Sequence, residues 1–203
     1  MTLVLATRNP GKVRELRELL AASPLCAVSL EDLASMPPIP EEAFSLEENA
    51  AAKAWAVCLF TGSVALGEDT GLEVDALGGA PGALAARYFG EGLTDGERVA
   101  HLLAAMAGVS GGRRGARFRC VAAIAEPGGR QWTVTGECRG VIATAPRGEA
   151  GFGYDPVFLV EGMGHTLAEL PLPVKNVVSH RGQAMRAAMP ILERLALEAR
   201  RPS

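Results

Sequence analysis

The sequence of 203 residues has few of the features that mark several common classes of protein. Its four cysteines, at positions 26, 58, 120 and 138, form no Cys-x-x-Cys pair, so we expect reduced thiols and no disulfide framework. The formal net charge of -3 provides no overall positive field for nucleic acid. No apolar run approaches the roughly 20 residues that span a bilayer, and the short apolar N-terminus lacks the basic start of a signal peptide. These absences predict a cytoplasmic protein that binds neither nucleic acid nor a membrane.

The overall composition is ordinary for a globular protein. Hydrophobic residues make up 48% of the chain and charged residues 21%, and the length is enough to bury a sizeable core in one unit or two closely joined lobes. One local exception is a basic cluster formed by Arg113, Arg114, Arg117 and Arg119. Because clustered charges usually face water, we expect these side chains to lie on a solvated turn and strand edge.

Hydrophobic periodicity predicts an α/β fold. A short apolar run at residues 3–6 predicts a buried strand, a loop with proline and glycine follows, and residues 12–21 have the spacing of a helix. The next helix is predicted to start at the cap residue Ser45, with Glu48 as its capping-box partner, and to extend to about Phe60. The remaining predicted elements are an ordered Pro-rich loop at 30–42, a short strand at 64–67, a glycine turn at 78–82, a helix at 94–106, a hairpin of strands at 117–126 and 132–138, and a final helix after Ser179 that Pro190 interrupts.

The loop between the first strand and the first helix is a candidate anion-binding site. The free amides at a helix N-terminus and the positive end of the helix dipole both favour negative charge. A junction with a single lysine also fits a simple turn with a solvated Lys12, and the loop lacks the spacing of a Walker A motif. The residues of this loop are Thr7, Arg8, Asn9, Pro10, Gly11 and Lys12.

Carboxylates supply a candidate magnesium site. Mg²⁺ uses few carboxylates and keeps several waters, with substrate phosphate completing its shell, so one or two acids are enough. Asp69 follows a predicted strand, where ligands of open α/β sheets bind, although it also fits a turn before Gly71. Glu48 fits a helix cap equally well. The candidate metal groups are Glu41, Glu48, Asp69 and Glu73.

Phe152 lies between two glycines, which makes it a poor core residue but a good flat platform for a ring. A purely structural role for this aromatic side chain is the alternative. Polar side chains close to Phe152 and further along the chain can form hydrogen bonds with the edges of such a ring and bind phosphate. They are Tyr154, Asp155, Lys175, His180 and Arg181. An aromatic platform, a cationic loop and carboxylates together suggest a nucleoside triphosphate as the ligand.

Several spaced motifs resemble those of the inosine triphosphate pyrophosphatase family, which acts on noncanonical purine nucleoside triphosphates. The match runs from the first strand to the last helix, and several motifs in the right order are far more specific than any one of them. The matching segments are Thr7-x-Asn9-x-x-Lys12, residues 48–54 (Glu-Asn-Ala-Ala-Ala-Lys-Ala), residues 69–82 (Asp-Thr-Gly-Leu-Glu-Val-Asp-Ala-Leu-Gly-Gly-Ala-Pro-Gly), Ala86-Arg87-Tyr88, residues 151–156 (Gly-Phe-Gly-Tyr-Asp-Pro) and Ser179-His180-Arg181-Gly182.

The resemblance implies an elongated α/β fold. In it, a long curved mixed β-sheet spans two lobes of a single domain, residues 1–203, with substrate in the cleft between the lobes. It also implies a homodimer and a Mg²⁺-dependent hydrolysis between the α and β phosphates, which gives a monophosphate and pyrophosphate. The implied substrates are ITP, dITP and XTP, and the implied role is to clean the nucleotide pool before polymerases use it.

The resemblance also implies roles for residues of this sequence. Asp69 is expected to be the general base and a metal ligand, and Glu41 the other metal-associated acid. Lys12 is expected to offset charge on the triphosphate and on the leaving pyrophosphate, within the triphosphate-binding loop of residues 7–12. Thr70 is expected to contact substrate. The residues expected to bind the nucleoside and its base are Phe152, Gly153, Tyr154, Asp155, Lys175, His180 and Arg181.

The chain departs from the family pattern at several positions. Glu68 stands where aspartate is usual and Thr70 where serine is usual, and both keep the functional group. Residues 83–85 (Ala-Leu-Ala) replace a more polar segment, and Pro173-Val174 precedes Lys175 where acids are common. These departures concern fine substrate contacts rather than the reaction.

Two other functions stay open at this point. A related group with a similar fold acts on modified pyrimidine nucleotides, and the Phe152 platform with residues 179–181 argues against it. A module that senses nucleotides without turning them over is the non-enzymatic alternative. The presence of Glu41, Asp69 and Lys12 argues against that function. Release of pyrophosphate from ITP in the presence of Mg²⁺ distinguishes the three.

Overall fold

The chain forms a mixed α/β structure, described by a computed structural model for residues 1–33, 36, 39 and 45–199. The helices in this part of the chain are α1 (Pro10–Leu20), α2 (Leu46–Thr61), α3 (Asp95–Ala105), α4 (Leu172–Val178) and α5 (His180–Glu198). Its strands are β1 (Thr2–Leu5), β2 (Cys26–Ser29), β3 (Val64–Val74), β4 (Pro81–Gly82), β5 (Gly115–Ala125), β6 (Gln131–Ile142) and β7 (Phe158–Val160). Among the described residues, no helix is long and apolar enough to cross a membrane.

The strands form one mixed sheet. Its order is β2-β1-β3-β5-β6-β7, and β4 pairs with β3 off this path. β1 is parallel to both β2 and β3, whereas β4 is antiparallel to β3 and β7 is antiparallel to β6. Parallel pairs joined through helices, followed by antiparallel pairs, confirm the α/β class that the periodicity predicts.

The chain divides into two compact units, each with its own hydrophobic core. Unit 1 consists of residues 1–69, 120–136 and 181–203, and unit 2 of residues 70–119 and 137–180. In unit 1, side chains of β1, β3 and β5 pack with α1 and α5. In unit 2, side chains of α3 pack with β7 and the adjoining halves of the long strands. The single two-lobed domain over residues 1–203 stays a prediction.

Several predicted elements are confirmed with small shifts in their ends. The Ser45 hydroxyl caps α2 by accepting the Glu48 amide N–H at 3.3 Å, which confirms Ser45 as the cap. The predicted capping box was wrong, because the Glu48 side chain does not bond back to the Ser45 amide. Thr94 caps α3 in a capping box with Glu97. The predicted hairpin corresponds to β5 and β6, which are neighbours in the sheet.

The predicted short strand at residues 64–67 was wrong in its length. β3 continues to Val74, so Glu68 and Asp69 lie inside the strand rather than at its end. Both side chains are buried, and each makes an ion pair. Two adjacent acidic residues normally indicate that a buried strand has ended, because burying a charge is costly. Here the cationic partners of Glu68 and Asp69 offset that cost, so both residues remain inside a buried strand.

The predicted interruption of the last helix was also wrong. α5 contains Pro190 in its interior and continues on both sides of it. Met185 and Ala188 before the proline and Leu192 and Leu195 after it are all buried in the core of unit 1. Packing of the apolar face on both sides therefore outweighs the hydrogen bond and the steric fit that proline removes.

The solvated position predicted for the arginine cluster was wrong for Arg114, which is buried. Its guanidinium donates to four backbone carbonyl oxygens, at 2.7 to 3.3 Å. Two of them, from Met106 and Val109, follow α3, and the other two belong to Ile142 and Ala143 at the end of β6. Arg114 therefore connects the segment after α3 to the end of β6 through its guanidinium.

Candidate active site

The loop after β1 enters α1 through a side-chain cap. Asn9 is the N-cap residue, and its side-chain oxygen accepts the amide N–H of Lys12 at 3.1 Å. The Thr7 hydroxyl in turn accepts the amide N–H of Asn9 at 3.2 Å. α1 begins at Pro10, two residues earlier than predicted, because proline is well suited to the first position of a helix. The first turn, residues 10–12, presents a helix N-terminus of the kind that favours anions.

A charged network surrounds the carboxylate of Glu68 in unit 1. Lys12 Nζ lies 2.7 Å from Glu68 Oε1, and Arg181 Nε lies 2.8 Å from Glu68 Oε2. Arg181 also pairs with Glu15, with 2.5 Å between Nη1 and Oε2. The Lys12 side chain is 15% exposed, whereas those of Glu15, Glu68 and Arg181 are at most 2% exposed. The members of the charged network are Lys12, Glu15, Lys53, Glu68, Asp69 and Arg181.

Glu68 remains ionised because of its cationic neighbours. Burial by itself raises the pKa of this carboxyl, but the charges of Arg181 and Lys12 and their hydrogen bonds outweigh burial and hold the pKa well below its usual range. The Cys120 thiol donates to Glu68 Oε2 at 3.2 Å. Burial and the charge of Glu68 raise the pKa of Cys120, so the thiol keeps its proton for this bond.

Asp69 is held at both of its carboxylate oxygens. Lys53 Nζ lies 2.8 Å from Oδ1, and Asn49 Nδ2 donates to Oδ2 at 3.1 Å. Asn49 and Lys53 are four residues apart on α2, so they lie on the same face of that helix. Lys53 Nζ also donates to the backbone carbonyl of Glu68 at 3.3 Å. The carboxylate is therefore fixed in direction before any ligand binds.

Gly67 allows α2 to approach β3 closely enough for these contacts. A Cβ atom at position 67 would lie 2.2 Å from the carbonyl oxygen of Ala50 and 2.6 Å from the amide nitrogen of Ala54. Both of these are rigid helix backbone atoms. The absence of a side chain at Gly67 thus sets the separation at which Asn49 and Lys53 reach Asp69.

The aromatic loop, residues 151–155 of unit 2, carries the predicted platform. Lys175 Nζ lies 5.1 Å from the centroid of the Phe152 ring, within the range of a cation–π contact. Asp155 Oδ2 accepts the Phe152 amide N–H at 2.8 Å and lies 2.5 Å from Lys175 Nζ. Gly151 has φ +77°, and a Cβ atom there would lie 2.1 Å from Asp155 Oδ2. The glycine before the ring is therefore required by both conformation and space.

Tyr154 anchors the same loop to a second segment of unit 2. It is buried, and its hydroxyl donates to the carbonyl of Ala85 at 2.9 Å. Burial raises the pKa of Tyr154 to about 12, so the hydroxyl stays protonated at neutral pH. The nucleoside-binding role predicted for Tyr154 stays a prediction.

Three other predicted site residues, His180, Thr70 and Arg8, lie on different elements of the structure. His180, the first residue of α5, is buried and stacks on Phe118 with ring centroids 4.6 Å apart. Thr70 continues β3 directly after Asp69. Arg8 donates to the carbonyl of Met36. Within unit 1, the structure thus brings Lys12, Asp69 and Arg181 into one charged network, and within unit 2 it brings Phe152, Asp155 and Lys175 together.

A divalent metal fits the chemistry of Asp69. Each carboxylate oxygen has two lone pairs, and the bonds from Lys53 and Asn49 use one on each oxygen. Oxygen ligands of this kind suit Mg²⁺. Glu41, the second predicted metal ligand, lies outside the described residues. Within the described ranges, no three His, Cys, Asp or Glu side chains are grouped so that they could hold a metal ion by themselves.

Sequence reasoning missed Asn49, Lys53 and Glu15 as members of the site. Asn49 and Lys53 lie in a segment that carries the family resemblance, but no role followed from it. Their spacing of four residues on a predicted helix was the available signal, since it places an amide and an ammonium on one face. For Glu15, the contact with Arg181 reveals the role, and because these residues are 166 positions apart no local pattern indicates it.

The fold and the site together define an α/β protein with a buried carboxylate and a cationic helix N-terminus suited to an anionic ligand. The model of the Ham1 family matches residues 3–191. A dITP/XTP pyrophosphatase of Desulforamulus reducens is 50% identical over 195 residues, which are 96% of this chain and 97% of that protein. The corresponding protein of Geobacter sulfurreducens is 49% identical over 183 residues, covering 90% and 92%.

Solved structures agree with these relatives. A HAM1 protein from Coxiella burnetii superposes with a TM-score of 0.84 at 38% identity, over 95% of this chain and 98% of that one. The chain therefore belongs to the Ham1 family, which confirms the resemblance seen in its motifs.

Proposed function

We propose that this protein hydrolyses the noncanonical purine nucleotides ITP, dITP and XTP to their monophosphates and pyrophosphate, and so cleans the nucleotide pool. The observation that carries this proposal is the buried Asp69 carboxylate, held by Lys53 and Asn49 in the same charged network as Lys12. The relatives named dITP/XTP pyrophosphatase, which match over nearly their whole length, support the same reaction.

Asp69 is the proposed general base. Its two oxygens are fixed by Lys53 and Asn49, and each bond leaves a lone pair that we propose for a water molecule. A carboxylate already fixed in direction orients and deprotonates water without further ordering. Attack in line with the departing pyrophosphate then depends chiefly on position and on charge.

Lys12 and the N-terminus of α1 are the proposed binding site for the triphosphate. Lys12 is the member of the ion pair with Glu68 that reaches solvent, and an ammonium group has three donors. The N-terminus of α1 adds the positive end of the helix dipole, although Pro10 has no N–H and the Lys12 amide is already bonded to the Asn9 side chain. These groups offset charge on the triphosphate and on the leaving pyrophosphate.

Family membership suggests a divalent metal cofactor, and we propose that it is Mg²⁺ held by Asp69 and Glu41. When bound, the ion supplies positive charge next to the phosphate oxygens. The proposal for Asp69 rests on the lone pairs that the bonds from Lys53 and Asn49, its partners within the described part of the chain, do not use. For Glu41 it rests on the family resemblance.

The nucleoside is proposed to stack on Phe152, with Lys175, His180 and Arg181 contributing donors. ITP, dITP and XTP carry a carbonyl at purine position 6, where ATP carries an amino group. Because arginine only donates hydrogen bonds, a pocket lined with donors favours the carbonyl. We therefore expect kcat/KM for ITP to exceed that for ATP by roughly 10²-fold, as is typical of a mispaired polar site.

Pyrophosphate release tests the proposal. ITP, XTP, ATP, GTP and a modified pyrimidine triphosphate are incubated with the protein and Mg²⁺, with EDTA as the matched control. Pyrophosphate from ITP that disappears in EDTA supports the proposal. Binding of ITP without release indicates a sensor, a preference for the pyrimidine substrate indicates the related group, and equal rates for ITP and ATP contradict the argument from donors.

A homodimer and a cytoplasmic location complete the proposal. The homodimer rests on the family resemblance, and the location rests on the four scattered cysteines, which are expected to be reduced. Light scattering coupled to size exclusion measures the first directly, since two chains of 21.2 kDa give twice the mass of one. A monomer at micromolar concentration excludes the dimer without affecting the proposed reaction.

A further inference from the structure

Asp95, outside all the motifs that carry the resemblance, contacts the aromatic loop in unit 2. It is the first residue of α3, and its Oδ2 accepts the amide N–H of Gly153 at 2.6 Å. Its Oδ1 accepts from Arg98 Nη2 at 2.5 Å. Partial burial raises the pKa of Asp95, but the Gly153 amide and Arg98 outweigh it and leave the pKa below its usual value. Asp95 is therefore a carboxylate at neutral pH.

The two peptide groups on either side of Phe152 are each held by a carboxylate. The amide before the ring, that of Phe152, is bonded to Asp155, and the amide after the ring, that of Gly153, is bonded to Asp95. Fixing both peptide planes fixes the backbone dihedrals of Phe152, and with them the direction in which its side chain leaves the backbone. Asp155 belongs to the aromatic loop, whereas Asp95 holds it from another element.

Arg98 extends this connection to a further segment. It pairs with Asp95 and also donates to the carbonyl of Ala86 at 3.2 Å. The neighbouring carbonyl, that of Ala85, accepts the Tyr154 hydroxyl of the aromatic loop. The first turn of α3 is thus bonded both to the aromatic loop and to the segment that the loop itself contacts.

We propose that Asp95 is a positioning residue that sets the orientation of Phe152 and thereby the affinity for the nucleoside. It acts through the Gly153 amide and does not touch substrate. The inference rests on the proposed function of Phe152 as the platform for the base. Because stacking is present in the ground state and in the transition state alike, loss of orientation raises KM and leaves kcat nearly unchanged.

The test compares Asp95→Ala with Asp95→Asn and with Glu97→Ala. The asparagine keeps an acceptor oxygen for the Gly153 amide. Glu97 is the matched control, because it is an acidic residue of the same helix turn whose side chain bonds to Thr94 and not to the aromatic loop. Hydrogen exchange of the peptide containing Gly153 is measured together with the KM and kcat for ITP.

We expect Asp95→Ala to speed exchange in that peptide and to raise KM about 5-fold or more, the effect of losing a hydrogen bond to a charged group. Asp95→Asn is expected to restore most of both values, and Glu97→Ala to change neither, although it lowers the melting temperature. Unchanged exchange and KM in Asp95→Ala, or an equal rise of KM in Glu97→Ala, overturns the inference. If the wild-type protein releases no pyrophosphate from ITP, the proposed function fails, and exchange still reports whether Asp95 orders the loop.

Discussion

The two units hold their site residues by different means. In unit 1, the charged network consists of ion pairs between buried side chains, such as Lys53 with Asp69 and Arg181 with Glu68. In unit 2, the ion pair of Asp155 with Lys175 is joined by hydrogen bonds from the backbone amides of the aromatic loop, which donate to Asp95 and Asp155. Removing one member of a buried ion pair leaves an uncompensated charge, whereas removing one anchor of a loop permits a shift. We therefore expect substitutions in unit 1 to lower kcat and those in unit 2 to raise KM.

The largest effect is expected for Asp69→Asn. The amide preserves the shape of the side chain but cannot accept a proton from water, so kcat is expected to fall by about 10²-fold or more. Pyrophosphate release at saturating ITP and Mg²⁺ measures it. The control is Asp32→Asn, at a half-exposed carboxylate that pairs with Arg17. Substantial activity in the Asp69 variant, with metal present, would refute its role as the base.

Gly67→Ala tests whether the approach of α2 to β3 sets the position of Asp69. The added methyl would meet helix backbone at 2.2 Å, so the elements must separate. We expect a loss of stability of about 1–3 kcal/mol and, because a displacement of about 1 Å is costly to catalysis, a kcat lower by at least 10-fold. Gly112→Ala is the control, since nothing lies within 4 Å of its added Cβ. Wild-type kcat in the Gly67 variant would show that the spacing is unimportant.

Lys12→Ala is expected to change both kinetic constants. The lysine meets negative charge in the ground state and more of it in the transition state, so KM rises and kcat falls, with kcat/KM lower by roughly 10-fold or more. Arg14→Ala removes an exposed cation from the same helix and serves as the control. If Lys12→Ala behaves like the control, the loop before α1 is only a turn.

Phe152→Ala tests the expectation that substitutions in unit 2 raise KM. Loss of stacking with the base is expected to raise KM for ITP by about 10-fold, while kcat stays within a factor of about two. Phe60→Ala, at an exposed phenylalanine of α2, controls for loss of a ring. A large drop in kcat with constant KM would place Phe152 in the chemical step and remove the distinction between the two units.

The smallest effect concerns acid stability. The pKa of Glu68 is lower in the folded protein than its usual value, so its contribution to stability is complete above about pH 4.3, the value for an unfolded glutamate, and is lost as the pH falls through the folded pKa. Urea unfolding between pH 7 and pH 3 measures it. As the pH is lowered, the free energy of unfolding of Glu68→Gln is expected to fall less than that of the wild type. The difference in slope is at most about 1.4 kcal/mol per pH unit, the value for one titrating group. If the free energy of unfolding falls equally with pH in both proteins, the lowered pKa of Glu68 does not contribute to stability.

Local sequence patterns predicted those parts of the fold that local forces determine. The cap at Ser45, the helix that begins at Asp95 and the hairpin of β5 and β6 all follow from nearby residues. The unpredicted elements β2, β4, β7 and α4 are short, between 2 and 7 residues, so they carry little periodic signal. The errors at β3 and Pro190 have the same origin, because tertiary contacts there outweigh the local preference.

In the candidate site, too, local patterns indicated some residues, whereas contacts between distant segments determine the others. Asp69 and Lys12 were indicated by motifs, but their partners were not assigned roles. The contact between Arg181 and Glu15 joins α5 to α1, and the contact between Asp95 and Gly153 joins α3 to the aromatic loop. Pairs of this kind depend on how helices pack, and a single sequence does not encode that packing in any local pattern.

The ionic composition of the charged network has a consequence for how substrate enters. Among the described residues, the ion pairs of this network join three cations, Lys12, Lys53 and Arg181, to three carboxylates, those of Glu15, Glu68 and Asp69. A polyanion that reaches Lys12 therefore meets a cation that already has a carboxylate partner. Its binding is an exchange of partners, in which a phosphate oxygen competes with a carboxylate already in place, and the selectivity of the protein for its ligand includes the difference between those two ion pairs.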